Sequence, residues 1–254
     1  MSKKLVVVTG AARGIGLATT RKFLDEGWRV AMLDIEAETL NAALAAIAKP
    51  DDTLAIICDV SVPEQVAAGI TAVDAKFGRI DALVNNAGIA DFLPIADTDI
   101  ETWSRIMAIN LNGPFICTKA CTPLLLEQGG AVVNIVSISG LRASTLRVAY
   151  GTSKAALIHL TKQQAAELGN NGVRVNAVAP GPVDTEMAKK VHSAEIRADY
   201  HDVIPLNRYG LEEEIAEAIF FLSSDKASYI NGQVLAVDGG FESTGIGLTS
   251  LRKT

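Results

Sequence analysis

The sequence predicts a single α/β domain built on a doubly wound parallel sheet, and three observations carry that expectation. Short apolar, valine-rich runs alternate with longer helical patterns along almost the whole chain. The first run passes directly into a glycine-rich turn that opens a helix, the arrangement of a phosphate-binding β–α unit. No linker, repeat or low-complexity stretch interrupts the alternation, and 254 residues suffice for one large domain with a substantial core.

The opening apolar run covers 4–9 and is too short and too close to the glycine turn to be a signal peptide, so it is a first strand. Thr9-Gly10-Ala11-Ala12-Arg13-Gly14-Ile15-Gly16 follows, and a helix then places Leu17, Ala18, Phe23 and Leu24 on one side. Backbone N–H groups and a helix N-terminus there can face a pyrophosphate, and glycines let it approach. A second strand over about 29–33 ends on Asp34, roughly 20 residues past the loop, where a carboxylate can take the two ribose hydroxyls of an adenosine. That carboxylate repels a 2′-phosphate and favours NAD over NADP; Arg13 pulls the other way, but Ile35 and Glu36, not basic residues, follow Asp34.

A helix over about 36–48 and a strand over about 53–58 lead to Asp59-Val60, and Pro63 opens the next helix. Asp59 has two readings, an acceptor for an adenine amino group or a cap for its own loop. The fourth strand, 82–84, runs into Asn85-Asn86-Ala87-Gly88, and adjacent asparagines at a strand end can satisfy loop backbone groups and fix neighbouring strands. One long helix is expected over about 102–127, disturbed by Asn110, Gly113 and Pro114; Asn110 is out of place among Ile106, Ile109 and Leu111. A fifth strand, 131–136, ends on Ser137, and a helix runs from about 150 to 168. The sixth strand, 173–178, leads into Pro180-Gly181-Pro182-Val183-Asp184-Thr185, a rigid pocket wall. From 186 to 208 the pattern loosens and gains charge, which reads as a mobile lid. Glu212-Glu213-Glu214 suits the positive end of a helix, and the last strand spans 233–237.

The chemistry centres on Tyr150-Gly151-Thr152-Ser153-Lys154, which sets a phenol and an ammonium on one helix face. Free tyrosine titrates near pH ~10, too high for a base at neutral pH, and a nearby cation lowers that value. Ser137 lies a short connection upstream, so its hydroxyl can meet the same substrate oxygen. Together these residues suit proton exchange with an alcohol.

Composition narrows the alternatives. Hydrophobic residues make up 49% and charged ones 20%, with a net charge of -6 and no basic stripe, which argues against a nucleic-acid partner. No stretch reaches the ~20 apolar residues of a membrane span. Cys58, Cys117 and Cys121 lack a disulfide or zinc pattern, and His159, His192 and His201 lack ligand spacing, so no metal site and a reducing cytoplasm are expected.

On these residues the chain resembles the classical short-chain dehydrogenase/reductases over essentially its whole length. The resemblance rests on the glycine loop, Asp59, Asn85-Asn86-Ala87-Gly88, Asn110, Ser137, Tyr150, Lys154 and the Pro180–Thr185 turn. It implies a Rossmann-like seven-stranded sheet and a catalytic tetrad of Asn110, Ser137, Tyr150 and Lys154. Tyr150 is then the acid/base, Ser137 holds the substrate oxygen, Lys154 lowers the tyrosine pKa and binds the nicotinamide ribose, and Asn110 holds a water on a proton path. It implies NAD(P)(H) held by Gly10, Arg13, Gly14, Ile15, Gly16, Asp34, Asp59, Val60, Asn86, Ala87, Gly88, Tyr150, Lys154, Pro180, Gly181, Val183 and Thr185. A homotetramer is also implied, with contacts from the helices near 102–127 and 149–169 and from the last strand. Enoyl reductases of that superfamily space the tyrosine and lysine further apart, and its extended members are longer, so neither fits.

The substrate is a small molecule met by Ser137, Ser139, Arg147 and Tyr150, with Leu141, Arg142, Gly181, Val183, Asp184 and the charged segment as further wall. Arg147 suits a carboxylate or phosphate, or else is a solvated or interface arginine. The charge of 186–208 tilts the expectation towards a sugar or polyol over a 3-oxoacyl thioester or a small hydroxy acid. A non-catalytic NAD(H) sensor is the alternative of another class. The tail 241–254 is expected to reach a neighbouring subunit's pocket.

Overall fold

The structure is a computed structural model in which residues 3–244 are described. Seven strands form one sheet in the order β3-β2-β1-β4-β5-β6-β7, with every pairing parallel. They are β1 (Leu5–Thr9), β2 (Arg29–Asp34), β3 (Thr53–Ile57), β4 (Ala82–Asn85), β5 (Ala131–Ile135), β6 (Arg174–Pro180) and β7 (Val234–Val237). The sequence leaves β1 in opposite directions on its two sides, so a crevice opens between the carboxyl ends of β1 and β4.

β1 shows why the chain folds this way. All five of its residues are buried, and alternate side chains enter two separate cores. Val6 and Val8 face α1 (Gly14–Asp25), α2 (Ala37–Ile47) and α10 (Glu212–Ser223), where Phe23, Leu40 and Ile219 pack. Leu5 and Val7 face α3 (Pro63–Phe77), α5 (Gly113–Gln128) and α7 (Val148–Gly169), where Val66, Ile70, Cys117, Cys121 and Leu125 pack. The three cysteines are free thiols within this second core, and burial pushes Cys58 up to about 11 and Cys117 up to about 12.

A polar clip crosses the centre of the sheet. Asn85 on β4 and Asn134 on β5 lie in register, and Asn85 Nδ2 donates to Asn134 Oδ1 at 2.8 Å and to Thr118 Oγ1 at 3.2 Å. Asn134 Nδ2 in turn donates to Thr161 Oγ1 at 2.9 Å. Two strands are thereby tied to α5 and α7 just below the crevice, as a polar group without a partner is costly there.

Three elements differ from the sequence expectation. The helix expected over 102–127 is split into α4 (Ile100–Met107), a π-helical turn (Ala108–Asn112) and α5, because Asn110 bonds across to another segment and the chain widens to let it. A short helix, α6 (Ile138–Leu141), follows β5. The loosened stretch 186–208 contains α8 (Glu186–Val191) and α9 (Ala194–Val203), capped by the hydroxyls of Thr185 and Ser193. Capping hydroxyls start both helices where apolar periodicity is too weak to announce them. Of the tail expected to reach a neighbouring subunit, residues 245–254 lie outside the described residues. Among the described residues no helix is long and apolar enough to cross a membrane.

Candidate active site

The carboxyl ends of β1, β4, β5 and β6 surround the crevice, and the side chains singled out from the sequence collect there from five segments. Tyr150 stands in the first turn of α7, with Lys154 one turn on. Ser137 leaves β5 as the cap of α6, its Oγ accepting from Ser139 N at 3.1 Å. α6 seats directly on α7 because Gly140 has no side chain; a Cβ there would lie 2.8 Å from the Lys154 carbonyl carbon. That close packing sets Ser137 against Tyr150.

Asn110 completes the group from below. It is fully buried, accepts from Ile89 N at 2.9 Å, and donates to Ile89 O at 2.9 Å and Ser153 Oγ at 3.1 Å. Ser153 Oγ donates to Tyr150 O at 2.7 Å, so Asn110 ties the loop after β4 to the first turn of α7. Its side chain serves the protein backbone, a role the sequence did not suggest. Gly88 lies beside it: a Cβ there would meet Asn110 Oδ1 at 3.2 Å and Lys154 Nζ at 3.5 Å.

The electrostatics depart from the simple tyrosine–lysine picture. Lys154 is buried, its Nζ donates to Ile135 O at 2.7 Å, and burial pushes its pKa down to about 8. Desolvation raises the Tyr150 phenol, and the neighbours that pull it back are the hydrogen-bonding Ser137 hydroxyl and then the Arg147 cation. Lys154 Nζ stands 5.8 Å from the Tyr150 ring and is turned to the β5 carbonyl. The cation that lowers the phenol is therefore Arg147, whose guanidinium carbon is 5.0 Å from the ring.

The glycine loop forms a cradle beside the tetrad. Gly10 has a φ of +63°, and a Cβ there would fall 2.9 Å from Ala87 Cα. A Cβ on Gly16 would strike Gly10 O, so only glycine lets α1 start against the loop. Asn86 holds the loop shut from β4, donating from Nδ2 to Thr9 O and Gly10 O at 3.0 Å each. Asp34 accepts from Ala12 N at 2.9 Å and from Glu36 N at 3.0 Å, which fixes its carboxylate at the loop's flank. Gly10, Gly16 and Gly88 thus let the loop, the start of α1 and the end of β4 pack closely, with the Asp34 carboxylate at the flank.

Several other expected contacts have side chains engaged within the protein. The side chains of Val60 and Val183 are buried in the cores and Ile15 packs against one, so only their backbones are available. Asp59 Oδ1 accepts from Ser61 N and Ser61 Oγ, the loop-capping half of its two readings. Thr185 Oγ1 accepts from Ala188 N at 3.1 Å. Gly181 follows Pro180 at the end of β6, and a Cβ there would come within 2.7 Å of Asp238 Cα. Arg13 is an exposed residue at the start of α1, and Ser139 Oγ pairs with Ser144 Oγ at 3.0 Å.

An aromatic wall closes the outer side and was not legible in the sequence. Phe92, His192, Tyr200 and Tyr209 stand with neighbouring ring centroids 5.5–6.1 Å apart, and His192 Nδ1 lies 3.0 Å from Tyr209 Oη. Only the alternation of tyrosine and histidine within 192–209 hints at it. Among the described residues no group of three or more His, Cys, Asp or Glu side chains is placed to hold a metal.

Comparison with known proteins gives a consistent answer. Residues 10–242 match a family model described as enoyl-(acyl carrier protein) reductase. The chain is 39% identical to 2-(S)-hydroxypropyl-CoM dehydrogenase 3 of Xanthobacter autotrophicus, covering 94% of this chain and 97% of that one. It is 39% identical to D-threitol dehydrogenase of Mycolicibacterium smegmatis, covering 94% and 92%. The crystal structure of levodione reductase superposes with a TM-score of 0.92 at 34% identity, over 96% of this chain and 100% of that one.

Proposed function

The chain belongs to the short-chain dehydrogenase/reductase family and is an oxidoreductase of alcohols and ketones; from that premise we propose that it is an NAD(H)-preferring enzyme for a small polar secondary alcohol, with Tyr150 as its acid/base. The observation that carries this reading is the convergence of Ser137, Tyr150, Lys154 and Asn110 beside the glycine cradle. The matched family description names an enoyl reductase, yet the four-residue spacing of Tyr150 and Lys154 favours carbonyl over double-bond chemistry.

A nicotinamide dinucleotide held by the glycine loop and Asp34 would supply the hydride chemistry at the substrate carbon. Asp34 supports NAD(H), since a second negative group at its carboxylate would be repelled. Ser137 Oγ holds the substrate oxygen and offsets charge developing on it. Tyr150 removes the alcohol proton in oxidation and returns it in reduction. Lys154, with its pKa near neutrality, relays that proton, and Asn110 keeps the helix start and the loop after β4 in register for it. The likeness to D-threitol dehydrogenase supports a polyol or sugar-like substrate. The residues 186–208 act as its lid, and the enzyme works as a homotetramer in the cytoplasm.

The test is oxidation of NADH and NADPH with a panel of polyol, sugar and oxo-acid ketones. NADH is preferred, and Tyr150→Phe lowers turnover by roughly 10²–10⁴-fold with NADH binding retained. Tight NADH binding with no turnover on any ketone would instead support a dinucleotide sensor.

A further inference from the structure

Arg147 and Arg197 flank the same aromatic cluster, Arg147 against Phe92 and Arg197 against Tyr209, and among the described residues both are incompletely paired. The Arg147 guanidinium stacks on Phe92 with its central carbon 3.4 Å from the ring centroid, and no described carboxylate forms an ion pair with it. Beyond the Tyr150 and Tyr200 phenols, the carboxylate that acts on it is Asp91, which is engaged by Arg105 at 3.4 Å. Much of the side chain is desolvated, which lowers its pKa and makes an unpaired cation there costly. The backbone is arranged to keep it in place. Leu146 holds a φ of +60°, a region a leucine rarely adopts, and its carbonyl accepts from Leu93 N at 3.2 Å.

Arg197 comes from the opposite side, on α9. Its Nη2 donates to Asp184 Oδ1 at 2.8 Å and its guanidinium carbon lies 4.3 Å from the Tyr209 ring. Its Nη1 is buried and has no hydrogen-bond partner. Burial first, and then the Arg147 and Arg197 cations, lower the pKa of His192, which favours a neutral ring there. Among the described residues, Arg197 Nη1 thus lacks an acceptor, and Arg147, 5.0 Å from the Tyr150 ring, lacks a carboxylate partner.

We propose that Arg147 and Arg197 form an oxyanion subsite, and that the substrate is a secondary alcohol or ketone carrying a terminal carboxylate or phosphate one short reach from the carbon that Tyr150 serves. This rests on the alcohol–ketone reading of the site and narrows its substrate. The anion supplies the missing acceptor for Arg197 Nη1 and the missing charge for Arg147. Because Arg197 rides on α9, anion binding also draws the segment 186–208 down over the cleft.

The test pairs a charged ketone with a neutral one, acetoacetate against the isosteric 4-methyl-2-pentanone and dihydroxyacetone phosphate against dihydroxyacetone, each with saturating NADH. The expected result is a kcat/KM at least about 100-fold higher for the charged member of one pair, and which pair responds separates carboxylate from phosphate. In Arg197→Gln that charged-to-neutral ratio falls at least tenfold, mainly through KM, and Arg197→Lys restores part of it. Equal kcat/KM for charged and neutral partners in both pairs overturns the proposal, as does an Arg197→Gln ratio equal to that of the wild type. If no ketone turns over, the reaction assignment itself fails. The subsite is then judged by calorimetry of acetoacetate and inorganic phosphate with the NADH-bound enzyme: binding lost in Arg197→Gln upholds it, and no binding ends it.

Discussion

At the scale of single residues, burial rather than sequence spacing decides the charges of the site. Tyr150 and Lys154 were recognisable because their spacing has no role in packing, and Asp34 because a strand ended on it at the right distance from a glycine loop. What spacing could not give was the direction of the lysine. Its ammonium points to Ile135 O, and its pKa of about 8 lies below the 10.5 of an unfolded lysine. The folded state therefore binds fewer protons between those two values. The penalty of burying the ammonium is fully present below about pH 8 and relieved as pH rises towards 10.5. Lys154→Met removes the titration, so the stability of the wild type relative to this variant should rise by about 2 kcal/mol between pH 7 and pH 9.5. Urea unfolding of the cofactor-free proteins at the two values measures it. A difference that stays constant, or falls, would mean that the ammonium is not desolvated. The same limit explains Arg147: its residue type pointed to anions, but whether the fold would supply it with a carboxylate depended on partners as distant as Asp91 and Asp184.

At the scale of elements, the strands and the glycine turn were legible because two strong periodicities repeat, while the joints between elements were not. The π turn at 108–112 exists for one side chain. Asn110 would face the core of an ordinary helix, and the widened turn lets its amide reach both backbone groups of Ile89 and the hydroxyl of Ser153. Such tertiary bonds override helix propensity and leave no periodic trace; an asparagine among isoleucines was the single clue. The helices α8 and α9 escaped for the opposite reason. They start from capping hydroxyls and bury little of their own surface, so their apolar pattern is thin. From the Asn110 network a definite cost follows. Asn110→Ala leaves Ile89 N–H and C=O without their side-chain partner in a partly buried joint, and should destabilise the protein by about 1–3 kcal/mol in urea unfolding. Activity should fall further than stability accounts for, because Ser153 and the Tyr150 backbone lose their tie to the loop after β4. A loss under about 0.5 kcal/mol would show that water replaces the amide at no cost.

At the scale of the whole molecule, the exposed apolar side chains of the described residues include some on α5 and one on the edge strand β7. Phe115 and Leu126 on α5 are 50% and 38% exposed. β7 ends the sheet, pairs only with β6, and carries Leu235 at 40% exposure. An open parallel edge with an apolar side chain invites pairing, and a large aromatic standing out from a helix marks a contact surface. One self-complementary interface makes a dimer; two different ones, on a helical face and on a sheet edge, close into a tetramer with three two-fold axes. Sedimentation equilibrium should therefore give four times the chain mass of 26.7 kDa at micromolar protein. Phe115→Glu places a charge in the helical interface alone, so that interface opens while the β7 interface holds, and the mass should fall to that of a dimer. A wild-type monomer would remove the argument altogether. A variant that stays tetrameric would leave the sheet edge as an interface but would take α5 out of the assembly.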